Sequence, residues 1–259
     1  MLLEDKMMRI IVCIVILMFD HSLATANSAL PETIEQIKKS VVSIATVMLT
    51  RSPRVVFYGT GFVVGNGHYV ITNDHVVPNK IKHEKNEALA VFVGEGNRPE
   101  PREVEVVMRD KVHDLALLRV KGSSLKAVTL GDSRTVREGE RYAFTGFPMG
   151  MMLGQYPVTH VGIVSGMPPI VTPSPSSRQL TAEQIKRNRN PFRVFQLDAI
   201  AYPGNSGSPV YHMDTGVIIG VVNSVFVKKS KEAAISSPSG ITYAIPSEYI
   251  EKLLKKAGL

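Results

Sequence analysis

The stretch GTGFVVGNGHYVITNDHVV, Gly59 to Val77, decides how the rest of the chain is read. It holds two β-type runs, ending in FVV and VIT, punctuated by Gly65-Asn66-Gly67. His75 stands at the exit of a strand whose alternate residues look buried. Outward from it lie VVSIATVML, LAVFV, EVEVVM, LALLRV, RYAFTG, VTHVGIVS, VFQLDA, VIIGVV and ITYAIP, all rich in Val, Ile, Tyr and Thr between Gly, Pro, Asn or Asp. Helical periodicity appears only at the edges. PETIEQIKKS sets Ile34 and Ile37 behind an entry proline, and PSEYIEKLLKK sets Ile250, Leu253 and Leu254 on one face, with Ser247 as N-cap and lysines at the end. Strands in the middle with a helix at each end predict an all-β barrel or sandwich. No composition break or repeat divides it. Pro168 to Phe192 is too long and too rich in Pro, Ser and Arg for a hairpin connection, and reads as a surface excursion near a site.

The 259 residues, 44% hydrophobic, suffice for one large domain or two small ones. Lys6 and Arg9, the apolar run Ile10 to Phe19 and the small-x-small pattern Ala24-Thr25-Ala26 read as a signal peptide over residues 1–26, leaving 27–259 as the mature domain. An apolar run of ten residues is too short to span a bilayer. The expectation is therefore an exported protein, periplasmic or secreted, with no stable membrane anchor after cleavage. The only cysteine, Cys13, lies in that segment, so the mature chain would form no disulfide and would depend on its core. Net charge is +7, and the basic residues cluster in IKHEK, IKRNR, VKKSK and EKLLKK. Aromatics to stack on bases are sparse, which argues against a specific nucleic-acid footprint.

Three residues fit the roles of nucleophile, base and orienter. In PGNSGSPV, Pro203 to Val210, Ser206 sits in a sharp turn whose glycines allow strained backbone angles. The N–H groups of that turn, Gly204-Asn205-Ser206, could converge on an oxyanion. A tight loop between strands accounts for the same letters. His75, at a strand exit, needs no pKa shift to serve as a base near neutrality. His68, His83, His113, His160 and His212 compete without comparable context. Asp114, in KVHDLALLRV, lies one residue before an apolar run and can fix the tautomer of a histidine. Asp110 and Asp74 are the alternatives. The chain order His, Asp, Ser is that of chymotrypsin-type hydrolases.

With these pieces together the chain resembles trypsin-like (chymotrypsin-fold) serine proteases of the HtrA/Deg type. The matching segments are GTGFVV…ITNDHVV, HDLALLRV, LGDS…VREGE, GFPMG…THVGIVSG, FQLDA…PGNSGSPV and GITYAIPS, covering roughly Ile34 to Leu254. The resemblance implies two perpendicular six-stranded β-barrels, at about 40–130 and 131–246, with a C-terminal helix at 247–257. It implies a triad of His75, Asp114 and Ser206 in the cleft between them, no metal and no cofactor. It implies peptide-bond hydrolysis through an acyl-enzyme, with unfolded or exported polypeptides as substrates. Oligomeric state is left open, a homo-oligomer included. HtrA-type proteins carry PDZ domains after the protease, whereas this sequence runs only to Leu259, so a protease domain without PDZ is expected. Asn205 stands where a zymogen-activated member has aspartate, which argues against activation by trimming.

The substrate pocket is expected around Ile200, Val225 and Phe226. Trypsin-like members carry an aspartate at the position of Ile200. A dry pocket would leave a charged side chain unpaired, so small or medium aliphatic P1 residues are expected. GVVNSVF lacks the histidine that glutamyl endopeptidases use, which disfavours acidic P1. The excursion 168–192 and the GFPMGMMLGQ loop are expected to switch the oxyanion hole. The rival reading is a catalytically silent protease fold acting as a chaperone or peptide-binding adaptor.

Overall fold

The computed structural model describes residues 29–96, 98–148, 154–170, 191–223 and 240–259. The expected signal segment, the GMM run of the methionine loop, residues 171–190 of the excursion, and both Val225 and Phe226 lie outside them.

Helix α1 (Leu30–Lys38) enters on Pro31 and buries Thr33 and Ile37. The first barrel follows: β1 (Val41–Val47), β2 (Val55–Val64), β3 (Tyr69–Thr72), β4 (Ala88–Val93), β5 (Glu100–Asp110) and β6 (Leu115–Val120). The second holds β7 (Arg141–Gly146), β8 (Val158–Gly166), β9 (Phe195–Asp198), β10 (Pro209–His212), β11 (Ile218–Asn223) and β12 (Ile241–Pro246). Helix α2 (Ser247–Lys256) closes the chain. Each set of strands closes on itself, in the orders β1-β2-β3-β6-β5-β4 and β10-β11-β12-β9-β8-β7, and every pair is antiparallel. Closure removes the sheet edges, whose unpaired N–H and C=O groups would otherwise need cover.

The strand period of two sorts the side chains into three layers. Along β6, Ala116 and Leu118 point into the first barrel with Val42, Ile44, Val63 and Val91. Leu115 and Leu117 point the other way, into a second layer with Phe62, Ile71, Tyr211, Val221 and Ile245 from both barrels. Phe144, Val164, Leu197, Val210 and Ile219 fill the second barrel. This explains why LALL is apolar throughout: both faces of the strand are covered. Truncating Leu115 or Leu117 to alanine would cost about 2–5 kcal/mol through the cavity left behind.

Two expectations need correction. Ser247 is the first helical residue of α2, not its N-cap; the cap position is Pro246, and the Ser247 hydroxyl donates instead to the Gly131 carbonyl at 2.6 Å. β10 is missing from the strands read from the sequence. It is four residues long and starts with proline directly after a glycine-rich turn, yet it is buried between β7 and β11.

Candidate active site

The register of the first barrel decides what stands at its rim. Thr72 pairs with Ala116 and Ile71 with Leu117, so the chain leaving β3 and the chain entering β6 meet at the same end. His75 lies in the one-turn 3₁₀ helix Asp74–Val76 just after β3. Asp114 lies just before β6. The His75 Nδ1 is 2.7 Å from Asp114 Oδ2, and the His75 backbone N–H donates to Asp114 Oδ1 at 2.9 Å. Asn223, at the end of β11 in the other barrel, donates through Nδ2 to Asp114 Oδ2 at 2.6 Å. The Asp114 carbonyl accepts from Asn73 Nδ2 at 3.0 Å and from the Asp74 N–H at 3.1 Å. Asp114 has φ 54°, a conformation that Asp tolerates better than most residues. An ionised carboxylate can only accept, so the proton sits on Nδ1 of His75 and the lone pair on Nε2. Arg109 braces the turn from outside: its guanidinium donates to the Asp74 side chain, the Asp74 and Val77 carbonyls and Asn79 Oδ1.

Ser206 approaches this pair across Gly59. A Cβ on Gly59 would lie 2.8 Å from the Ser206 carbonyl oxygen and equally close to Val76, the neighbour of His75. The turn before Ser206 is closed by the Asn205 N–H donating to Tyr202 O at 3.0 Å, with Gly204 third in the turn at φ 102°. A positive φ at that position is the mark of a type II turn and suits glycine. The Asn205 carbonyl accepts from the Ser208 N–H at 3.0 Å, and the Ser206 carbonyl from the Thr60 N–H at 2.8 Å. Gly207 packs so closely that a Cβ would collide with the Thr60 carbonyl.

Comparison with known proteins adds the family. Residues 59–221, from Gly59 in β2 to Val221 in β11, match the model of the trypsin-like peptidase domain. The chain belongs to the trypsin-like peptidase family. Its curated relatives are HtrA-like: serine protease HTRA2, mitochondrial, is 34% identical over 199 residues in both Drosophila virilis and Drosophila grimshawi, spanning 77% of this chain. The match spans only 39% of those relatives' own length. Among solved structures, the HtrA-type protease AlgW with decapeptide superposes with a TM-score of 0.65 at 21% identity, over 88% of this chain and 66% of that one. That likeness supports the same two-barrel fold.

Within this trypsin-like peptidase, the other sequence candidates fall elsewhere. His113 pairs through Nδ1 with Asp110 Oδ2 at 2.7 Å and stacks on Tyr249 of α2. That contact fastens the helix to the first barrel. His160 stacks on Phe144, and burial pushes its imidazole pKa down. Asp74 is held by Arg109. His212 ends β10 with its side chain exposed. Ile200 is half-buried in the loop entering the Ser206 turn, between Ala199 and Ala201, which pack on the second barrel's core. Four residues of the site escaped the sequence reading: Thr60, Asn73, Arg109 and Asn223. Each is far along the chain from the group it holds or acts from the other barrel, and no local pattern marks it. Among the described residues no group of three or more His, Cys, Asp or Glu could hold a metal, and no helix is long and apolar enough to cross a membrane.

Proposed function

We propose that this chain is a serine endopeptidase with Ser206 as nucleophile, His75 as general base and Asp114 as orienter. The observation that carries this is the 2.7 Å contact between His75 Nδ1 and Asp114, which leaves the imidazole's other nitrogen free to accept a proton. The Ser206 Oγ attacks a peptide carbonyl while its proton passes to His75 Nε2, and Asp114 stabilises the imidazolium. The carbonyl oxygen becomes an oxyanion facing the N–H groups of Gly204 and Ser206, with Asn205 setting the turn between them. Collapse of the intermediate breaks the C–N bond, the amine leaves with the proton from His75, and an acyl-serine remains. Water, deprotonated by the same base, releases the acid.

The half-buried Ile200 between two alanines supports an apolar primary pocket, completed by Val225 and Phe226, and a small or medium aliphatic P1 residue. The substrates are unfolded or exported polypeptides. Residues 1–26 act as the export signal, and 27–259 work in the periplasm or outside the cell, alone or as a homo-oligomer. No cofactor takes part.

The test is digestion of unfolded casein by the purified protein beside Ser206→Ala, with a peptide library to profile P1. The wild type is expected to cleave after Val, Ala or Leu and to be labelled by a fluorophosphonate, and Ser206→Ala to do neither. A wild type that is folded, inert and unlabelled would point to the silent chaperone. A profile led by Arg, Lys, Asp or Glu would overturn the pocket assignment alone.

A further inference from the structure

The Ser206 turn has a peculiarity in what holds it. Asn205, directly before the nucleophile, is fully buried, yet neither Oδ1 nor Nδ2 has a hydrogen-bond partner among the described residues. Ser208 Oγ, two residues on, is likewise unpartnered. The side chains of Asn205 and Ser208 therefore contribute little to fixing the turn's peptide planes. Gly204 does not fix them either: at φ 102° it occupies a type II turn, but glycine enters a type I turn with negative φ at little cost.

The hold comes from the other barrel. The Thr60 hydroxyl on β2 donates to the Gly204 carbonyl at 2.7 Å. The same hydroxyl accepts from the Phe147 N–H at 3.0 Å, which commits its single proton to Gly204. The Thr60 N–H donates to the Ser206 carbonyl at 2.8 Å, and the Thr60 carbonyl accepts from Thr72 Oγ1 at 2.6 Å. Every polar atom of Thr60 is thus used, and two of them grip carbonyls either side of Asn205. In a trans peptide the C=O and N–H point opposite ways. The Gly204–Asn205 plane is therefore pinned at one edge by Thr60 and at the other by Tyr202 O.

We propose that Thr60 is a positioning residue for the oxyanion hole, its hydroxyl and N–H clamping the Gly204–Asn205 and Ser206–Gly207 peptides to the barrel that carries His75, so that the turn's donors are held against the reacting carbonyl. This rests on the serine-endopeptidase reading. Without the hydroxyl the half-buried Gly204 carbonyl and the buried Phe147 N–H lose their partner, and the turn relieves this by shifting away from the first barrel, a movement that Gly204 makes easy.

The test compares full-chain wild type with Thr60→Val, which keeps the shape and removes the donor, and Thr60→Ser, which keeps the donor. A chromogenic peptide cleaved by the wild type serves as substrate, and a peptide boronate as transition-state mimic. For Thr60→Val the expected result is a kcat lowered by about 10- to 100-fold with KM within about twofold, and boronate affinity falling in parallel. The acid limb of the pH–rate profile stays in place, because the His75–Asp114 pair is untouched. Thr60→Ser is expected to stay within about threefold of wild type in kcat. If Thr60→Val does not fold by circular dichroism, Thr60→Cys replaces it, since the thiol is a weak donor of nearly serine size. An unchanged kcat in the donor-free variant, a loss confined to KM, or a serine variant as impaired as valine would each overturn the proposal. An inert wild type would sink the endopeptidase reading along with it; an active wild type with indifferent variants would sink this inference alone.

Discussion

The two halves of the site are built in opposite ways. On the side of the first barrel, the Asp114 carboxylate accepts from His75 twice and from Asn223 once, and its carbonyl accepts two more hydrogen bonds. On the side of the second barrel, Asn205 and Ser208 bury side-chain polar atoms with no partner among the described residues. The His–Asp half is over-determined: losing one contact leaves others that impose the same geometry. Among the bonds described, the Ser206 turn is held by a few backbone bonds and one threonine from the first barrel. The first half also has a buried atom with no partner among the described residues, Asn73 Oδ1, but its carboxylate accepts three hydrogen bonds; a turn with fewer side-chain bonds changes arrangement at smaller cost. In the proposed reading, the base is the fixed part of this site and the oxyanion donors are the adjustable part.

The most severe break in that contrast is Asp114→Asn. An amide must present N–H to at least one of the donors that now converge on the carboxylate, and it favours the wrong imidazole tautomer. The expected outcome is a fall in kcat of about 10⁴-fold, the size of the effect for this substitution in a well-studied triad. Single-turnover acylation by an activated ester would measure it. A fall smaller than about tenfold would mean that the pair does not orient the base.

How much of this was readable in the letters depends on distance along the chain. The strands of the first barrel were legible because their composition and punctuation are local. His75 and Asp114 were legible because each sits beside an apolar run that ends or begins at the rim, and the register of β3 on β6 does the rest. β10 was not, because four buried residues opening on proline look like the tail of the turn before them. Thr60 was read only as part of a strand. Its role arises when β2 meets a turn 144 residues away, and no window of sequence contains both. Asn223 was quoted for what GVVNSVF lacks, a histidine, while its bond to Asp114 spans 109 residues.

Asn223→Leu sharpens the comparison at an intermediate scale. It removes one of three donors to the carboxylate from the over-determined half. A charge-assisted hydrogen bond of this kind contributes about 1.5–3 kcal/mol, so urea denaturation should show a loss in that range. Because His75 keeps both of its contacts to Asp114, kcat should fall by only about tenfold. A loss as large as that of Asp114→Asn would show that the half is not redundant after all.

The smallest effect separates two histidines outside the proposed triad. Burial lowers the pKa of His160, whose Nε2 has no partner among the described residues and whose ring stacks on Phe144 with centroids 4.9 Å apart. The fold therefore prefers this imidazole neutral, and the unfolded chain, with an ordinary pKa near ~6.5, binds the proton more readily. The stability this gives is complete above that pKa and lost as pH falls below it. His113 sits instead against Asp110. Burial pushes the Asp110 carboxyl up, but its hydrogen bonds to His113 and the charges of His113 and Lys256 outweigh this and hold it below the usual range. The Asp110 contribution is present above the ordinary aspartate pKa of ~3.9 and is lost only in stronger acid. Between about pH 5 and pH 7, then, His160→Gln should flatten the slope of melting temperature against pH, while Asp110→Asn should lower the melting temperature at neutral pH. Parallel curves for wild type and His160→Gln would show that the buried imidazole finds a partner when it takes up a proton.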